Sequence, residues 1–175
     1  MTDLAPAKRR FGQWALACTG LTATLAVTLL DPPRPRLLWN ASASAPVGLY
    51  AVGDGAGFAR GDMVIARVPD EFRMFAARRR YLPANVPLVK RVAAVPGDVV
   101  CAAGARVTAN GRIVAMRLGR DGAGRPMPWW SGCAELGAGK VLLLMTESPA
   151  SFDGRYFGVS DEDDIVGRAR LLWRR

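Results

Sequence analysis

The sequence predicts a mainly β, antiparallel domain that carries one N-terminal membrane-spanning helix and one short soluble helix. Three observations support this fold class: an uncharged run at 11–30, a series of short β-rich runs bounded by Gly, Pro and Asp, and a hairpin signal at Asn110-Gly111. A chain of 175 residues is long enough for one ordinary domain and short for two. We therefore expect one folded domain on a membrane anchor.

The N-terminal segment has the length and polarity of an anchor. Residues 11–30, FGQWALACTGLTATLAVTLL, contain no charged side chain, and a helix of about 20 residues spans the roughly 30 Å hydrocarbon layer. A basic triplet at 8–10 precedes it, which predicts that residues 1–10 stay in the cytoplasm and the rest lies outside. A cleaved signal peptide begins similarly, but this run is long for one, and no small-residue cleavage site follows.

A proline-rich spacer at 31–39 separates the anchor from the β domain at 40–175. DPPRPR (31–36) excludes a helix and favours a short, stiff, extended segment. The one soluble helix is expected at 70–81, where Phe72, Phe75 and Ala76 share a face. Its basic residues Arg78, Arg79 and Arg80 are expected to form a solvated face, with contact to acidic lipid headgroups as the alternative. Beyond the spacer the β-rich runs are 47–52, 63–68, 86–95, 98–103, 140–146 and 164–173, with the hairpin RVTANGRIVA between the fourth and fifth.

The composition restricts the chemistry of the domain. The chain has no histidine, which excludes Ser-His-Asp and Cys-His catalysis and histidine-ligated metals. Three scattered cysteines do not make a zinc cluster, and GAGK at 137–140 lacks the remaining residues of a phosphate loop, so we expect no metal and no cofactor. The net charge of +9 comes without a DNA- or RNA-binding signature, and no nucleic-acid partner is expected.

Lys90 lies in the middle of the apolar run PLVKRVAAVPGD. Because side chains alternate along a strand, one of the adjacent cations Lys90 and Arg91 points inward, unless the strand lies at a sheet edge where both reach water. If Lys90 is buried, lowering its pKa from about 10.4 to near 7 requires roughly 4–5 kcal/mol of desolvation. A neutral lysine can act as general base for a serine hydroxyl without histidine. Spacing alone leaves both interpretations open.

Residues 40–50, NASASAPVGLY, place two serines shortly after the apolar run. Ser, Asn and Pro are turn residues, so an ordinary loop explains this stretch. A serine nucleophile activated by Lys90 also explains it.

Four blocks, in order along the chain, resemble the conserved boxes of type I signal peptidases, which are membrane-anchored Ser-Lys endopeptidases. They are SASAP followed by VGLY, then RGDMV, LVKRVAAVPGD and SFDGRYFGV (151–159). The chain looks most like the branch encoded with conjugative transfer systems, the TraF-type pilin-processing peptidases. The resemblance implies Ser44 as nucleophile and Lys90 as its base. It also implies that Ser42 and the backbone N–H of Ser44 form an oxyanion hole, and that Ser151 orients the lysine amine.

The resemblance further implies that Asp153 and Arg155 form an ion pair that supports the last block.

The sequence departs from the general signal peptidase pattern at two places. Only Ala45 separates the serine from the following proline, which is typical of the conjugative branch, and MTESPA (145–150) replaces the usual Gly-Asp-Asn-Arg run. Both departures argue against a housekeeping preprotein peptidase.

The implied function is cleavage of a membrane-inserted pilin precursor, and the family is also associated with joining pilin ends into a ring. The implied location is the inner membrane, with the catalytic domain in the periplasm and in contact with the bilayer and other proteins of the conjugation apparatus. Two alternatives are a general signal peptidase and a non-catalytic assembly protein. A self-cleaving repressor that shares the Ser-Lys chemistry is disfavoured by the anchor and by the absence of a DNA-binding signature.

Outside the cytoplasm, Cys101 and Cys133 can oxidise to a disulfide. Closing a loop of about 30 residues would add about 3 kcal/mol in the chain-entropy model. Two reduced, buried thiols are the alternative.

Overall fold

The computed structural model describes residues 5–30, 35–55 and 57–175, which form two units. The first is helix α1 (Ala5–Leu30), whose segment Arg10–Leu30 is long and apolar enough to cross a bilayer. Its threonine hydroxyls donate to backbone carbonyls three or four residues earlier, so these polar groups are satisfied within the helix, as a hydrocarbon environment requires. The expected apolar N-terminal helix is confirmed. Its orientation in a membrane stays a prediction, and most of the expected DPPRPR spacer, residues 31–34, lies outside the described residues.

The second unit begins at Arg36 and folds into two antiparallel sheets. The larger sheet has the strand order β1-β2-β11-β3-β4-β9-β10, and the smaller sheet has the order β7-β6-β5-β8. The larger sheet comprises β1 (Leu37–Asn40), β2 (Gly48–Val52), β3 (Met63–Ala66), β4 (Leu88–Ala94), β9 (Lys140–Leu144), β10 (Ser160–Asp161) and β11 (Ile165–Arg174). The smaller comprises β5 (Val99–Ala103), β6 (Arg106–Ala109), β7 (Arg112–Met116) and β8 (Gly132–Glu135). The mainly antiparallel β fold class is confirmed.

Strand β9 links the packing of the two sheets because it is apolar on both faces. Leu142 and Leu144 pack in one core cluster with Val100 and Val107 of the smaller sheet. Leu143, which points the other way, packs with β3 and β4 in a second cluster. An unbroken apolar run is what a strand covered on both faces requires.

The hairpin between β6 and β7 turns at Asn110 and Gly111, which have φ angles of 49° and 76°. A tight two-residue turn of this type needs positive φ at both positions, and Asn-Gly tolerates this best. In the same sheet, Cys101 on β5 and Cys133 on β8 lie directly opposite each other, and their sulfurs are bonded.

Helix α2 (Asp70–Arg78) is the expected soluble helix, but it ends three residues before position 81. Arg80 adopts a left-handed conformation with φ of 59°, and the N–H of Tyr81 bonds back to the carbonyl of Ala76, a geometry that terminates helices. A further short helix, α3 (Gly154–Phe157), was not predicted; its first N–H groups are capped by Asp153.

Candidate active site

The segment between β1 and β2 carries Ser42 and Ser44 and is held in place by Asn40. The buried Asn40 amide donates to the carbonyls of Ser42, Ala45 and Pro46 at 3.0, 3.2 and 3.0 Å. Its carbonyl oxygen accepts the N–H of Ser42 at 3.1 Å. One side chain thus organises the backbone on both sides of Ser44.

Lys90 lies on β4, which is an interior strand between β3 and β9. The edge-strand alternative for Lys90 is therefore wrong, and the lysine side chain is only 2% exposed. Its Nζ lies 3.0 Å from Ser44 Oγ and 2.8 Å from Ser151 Oγ. The structure thus brings together three of the residues identified from the sequence.

Burial lowers the pKa of Lys90 from 10.5 to about 8. The negative charge of Asp153 raises the Lys90 pKa in part, and the positive charge of Arg155 lowers it. With a pKa near 8, roughly a tenth of the molecules hold a neutral amine at pH 7. That fraction is enough for the amine to accept a proton at neutral pH.

Ser42 and Ser44 are adjacent in space as well as in sequence. The two hydroxyl oxygens lie 3.0 Å apart, and the N–H of Ser44 donates to Ser42 Oγ at 3.3 Å. The N–H of Ser44 and the hydroxyl of Ser42 are close enough to donate to the same substrate oxygen once the Ser42 hydroxyl rotates.

Asp153 and Arg155 form a buried ion pair behind the lysine, with 0% and 1% exposure. Arg155 Nε donates to Asp153 Oδ1 at 2.8 Å, and the guanidinium also donates to the carbonyls of Met145 and Pro149 at 2.7 and 2.8 Å. Asp153 Oδ2 in turn accepts the N–H of Met145 at 3.0 Å. The pair therefore connects the end of β9 to the turn that presents Ser151.

Above these residues lies a cavity of about 330 Å³, which we call the central cavity. It is lined by Ser44, Lys90, Ser151, Tyr81, Asp121 and Met127, among others. Part of its wall is the loop at 118–127. Tyr81 OH donates to Asp121 at 2.6 Å and Arg125 Nε donates to it at 2.7 Å, which hold the Asp121 pKa below its usual value. The sequence GRDGAGRP (119–126) is typical of a loop, and nothing in it indicates that the loop lines this cavity.

Arg79 belongs to the basic triplet at 78–80, which we expected to form a solvated face. Instead, its guanidinium packs over the Phe75 ring at 4.1 Å and donates to the carbonyl of Pro126 at 2.8 Å. Arg79 thus fastens the loop of the central cavity to α2, and for this residue the expectation was wrong.

A further cavity runs beside β1, which lies at one end of the strand order in the larger sheet. We call it the edge groove: a cavity of about 280 Å³ between Leu38, Asn40 and Ser42 on one side and Val86 and Leu88 on the other. It meets the central cavity at Ser42, Ser44 and Leu88.

Asn40 was also missed, since an asparagine beside serines and a proline is typical of any turn. For any reaction in which Ser44 attacks a substrate, we expect Asn40→Ala to lower kcat by about 10²-fold, because Ser44 loses its fixed position. Unfolding in detergent would show a loss of about 1–3 kcal/mol from the unpaired carbonyls.

The exposed asparagine Asn85 provides the control, since Asn85→Ala is expected to leave stability unchanged. An unchanged kcat in Asn40→Ala would contradict a positioning role.

A mainly antiparallel β domain that places a serine hydroxyl against a buried lysine is the kind of domain found among peptidases without histidine. The sequence model described as "Signal peptidase, peptidase S26" matches residues 8–174, and the chain belongs to this family. The resemblance identified from the four blocks is confirmed.

Two relatives from Escherichia coli, both described as "Plasmid transfer protein TraF", are 35% and 34% identical to this chain over 147 and 146 residues. Each alignment covers 77% of this chain and 82% of the relative. A crystal structure of a signal peptidase I from Enterococcus faecalis shares 18% identity and a TM-score of 0.36, covering 67% of this chain and 97% of that one.

Proposed function

We propose that this chain is a membrane-anchored serine endopeptidase in which Ser44 is the nucleophile and Lys90 its general base. We further propose that its substrate is a membrane-inserted pilin precursor of a conjugative transfer system. One observation carries the enzymatic part: the buried Lys90 amine lies 3.0 Å from the Ser44 hydroxyl. No histidine is needed for this chemistry.

In the first half of the reaction, neutral Lys90 takes the Ser44 proton while Oγ attacks the scissile carbonyl carbon. The lysine donates a hydrogen bond to Ser151, which leaves its lone pair directed at Ser44. The N–H of Ser44 and the Ser42 hydroxyl donate to the oxygen that becomes negative, an interaction typically worth about 3–4 kcal/mol in the transition state.

The second half releases the two products. The Lys90 ammonium gives its proton to the leaving amine, and the acyl group remains on Ser44 as an ester. Neutral Lys90 then takes a proton from water, whose oxygen attacks the ester carbonyl, and the proton returns to Ser44 Oγ. Attack by an amine of the pilin itself in place of water would close a ring; both outcomes use the same residues.

The edge groove is suited to an extended peptide. Among the described strands, none pairs with the outer edge of β1, and a peptide can add to such an edge as a further strand. Ser42 and Ser44 lie where the groove joins the central cavity, so a peptide in the groove would bring a carbonyl group to Ser44.

Four observations support the location and the biological role. Helix α1 has the length and composition of a single-pass anchor, and a Cys101–Cys133 disulfide is typical of a compartment outside the cytoplasm. The two relatives are described as plasmid transfer proteins, which supports a substrate within the conjugation apparatus. The basic triplet at 8–10, before the anchor, supports a periplasmic placement of the β domain.

The test is the mass of the pilin from cells that carry wild-type, Ser44→Ala or Ser131→Ala protein. Ser131 is exposed and outside the site, so its variant is the matched control. We expect mature pilin with wild type and Ser131→Ala, and only uncleaved precursor with Ser44→Ala at equal protein levels.

Unchanged pilin mass with Ser44→Ala would contradict the peptidase proposal. Continued conjugation in that variant would favour an assembly protein. Accumulation of many secreted precursors, not only pilin, would favour a general signal peptidase.

A further inference from the structure

Besides the central cavity, two cavities include Ser44: the edge groove, and a second cavity lined by residues that follow Ser44 in the chain. The edge groove is lined by residues that precede Ser44, from Leu38 to Ser42. The second cavity, of about 610 Å³, is lined by residues that follow it, Ala45, Pro46 and Val47, and both cavities include Ser44. A peptide that lies along this segment across Ser44 therefore has one half in each cavity.

The two cavities differ in charge. The edge groove has no charged side chain among its described lining residues. The second cavity has an apolar floor that includes Tyr50, Met63, Met145 and Leu171. Its charged lining residues are three arginines and one glutamate, namely Arg91, Arg174, Arg175 and Glu147. We call it the basic cavity.

The ion pair between Arg91 and Glu147 is long and leaves Arg91 without a hydrogen bond to the carboxylate. Arg91 Nε lies 3.8 Å from Glu147 Oε1, beyond hydrogen-bond distance, and the Arg91 Nε atom is buried without a hydrogen-bond partner among the described residues. Arg91 NH1 donates to the carbonyl of Gly61 at 2.6 Å, which fixes the position of the side chain. The guanidinium is thus held at the cavity with donor capacity left over.

Arg174 is positioned by the end of β11. Gly48 of β2 lies opposite Arg174, and a Cβ at Gly48 would come within 2.1 Å of the carbonyl oxygen of Trp173, so glycine allows the close approach of the two strands. Tyr50 and Arg174 both line this cavity. Burial raises the pKa of the Tyr50 hydroxyl, and the positive charge of Arg174 opposes that rise. None of the described carboxylates forms an ion pair with Arg174.

We propose that the basic cavity binds a carboxylate of the substrate, close to the scissile bond, through Arg174 and Arg91. The ligand class is an acidic peptide segment, recognised through an Asp or Glu side chain. Guanidinium groups bind carboxylates through paired, charge-assisted hydrogen bonds, and the apolar floor accommodates the neighbouring side chain. This inference rests on the proposed function, since it assigns the basic cavity to the substrate cleaved at Ser44.

The test measures peptide binding without cleavage. The full-length Ser44→Ala protein in dodecyl maltoside is titrated against fluorescein-labelled, alanine-based octapeptides that carry one Glu, or one Gln, at each position in turn. At one or two adjacent positions we expect the Glu peptide to bind about tenfold more tightly than its Gln counterpart. Adding Arg174→Gln or Arg91→Gln should reduce this preference to about twofold or less. Adding Arg112→Gln, at an exposed arginine of the smaller sheet, should leave it intact.

Equal binding of Glu and Gln peptides at every position, or no binding of any peptide, would overturn the inference. So would a Glu preference that survives both arginine substitutions. If phosphatidylglycerol vesicles displace the Glu peptide from the protein, and Arg174→Gln removes this competition, the arginines serve lipid headgroups and the inference fails. These results do not depend on cleavage, so pilin processing that requires Ser44 would stand even if the Glu preference were absent.

Discussion

Lys90→Met is expected to abolish precursor cleavage while making the β domain more stable. The pKa of the lysine is lowered from 10.5 to about 8 by burial, which corresponds to about 3 kcal/mol of unfavourable free energy when the amine is charged. Methionine has a similar length and no charge, so it avoids this cost. The buried Ser151 hydroxyl loses its hydrogen-bond partner, which costs about 1–2 kcal/mol and offsets part of this gain. We expect a net gain of about 1–2 kcal/mol at pH 7 and a 10²–10⁴-fold lower cleavage rate.

Denaturant unfolding in detergent as a function of pH checks this prediction. Below pH 8 the amine is charged in both the folded and the unfolded protein, so the full cost is present. Between pH 8 and 10.5 the unfolded chain binds a proton that the folded protein does not, so wild-type stability rises with pH relative to the variant. The advantage of Lys90→Met should therefore shrink across this range and become a disadvantage of about 1–2 kcal/mol above it, where only the loss of the Ser151 hydrogen bond remains.

The wild-type cleavage rate should rise with pH and reach half its maximum near pH 8, because only the neutral amine acts as a base. Lys140→Met is the matched control: this lysine is exposed and paired with Asp161, so its loss should change neither the rate nor the pH dependence of stability. A Lys90→Met protein that is less stable at every pH would contradict an amine destabilised by burial.

The local pattern drew attention to Lys90, which interrupts an apolar strand, and to Ser42 and Ser44, which follow the apolar run 11–30 closely in the sequence. The roles expected for Ser42, Ser44 and Ser151 came from the resemblance to signal peptidases. The sequence could not decide whether β4 was an edge strand. Its neighbours β3 and β9 come from distant parts of the chain, and strand order depends on long-range pairing that periodicity does not encode.

The residues that the sequence missed act through contacts of the same non-local kind. Asp121 is fixed by Tyr81, 40 residues away, and nothing in GRDGAGRP indicates this partner. Asn40 acts locally, but its composition is that of an ordinary turn. Helix α3 has only four residues, too few to show a helical repeat in the sequence. It forms where the Asp153 side chain accepts the N–H of Arg155 and where the helix, including Arg155, is buried.

Asp153→Ala is expected to cost the β domain about 3–5 kcal/mol, because it leaves the buried Arg155 guanidinium without its counter-charge. The N–H of Met145 also loses its acceptor at the end of β9. Unfolding in detergent measures the loss. Asp163→Ala removes an exposed carboxylate and should change stability by less than about 0.5 kcal/mol. A similarly small loss for Asp153→Ala would contradict the role of the pair.

Replacing both partners, as in Asp153→Leu with Arg155→Met, should cost less than the sum of the single changes, because no buried charge is left unpaired.

Each single variant, Asp153→Ala or Arg155→Met, should also shift the pKa of Lys90. Asp153 raises the pKa of Lys90 and Arg155 lowers it, so removing only the carboxylate should move the half-maximal cleavage rate of the folded fraction below pH 8. Removing only the guanidinium, in Arg155→Met, should move it above pH 8. Shifts in the same direction for both single variants would contradict an electrostatic link between the pair and the lysine.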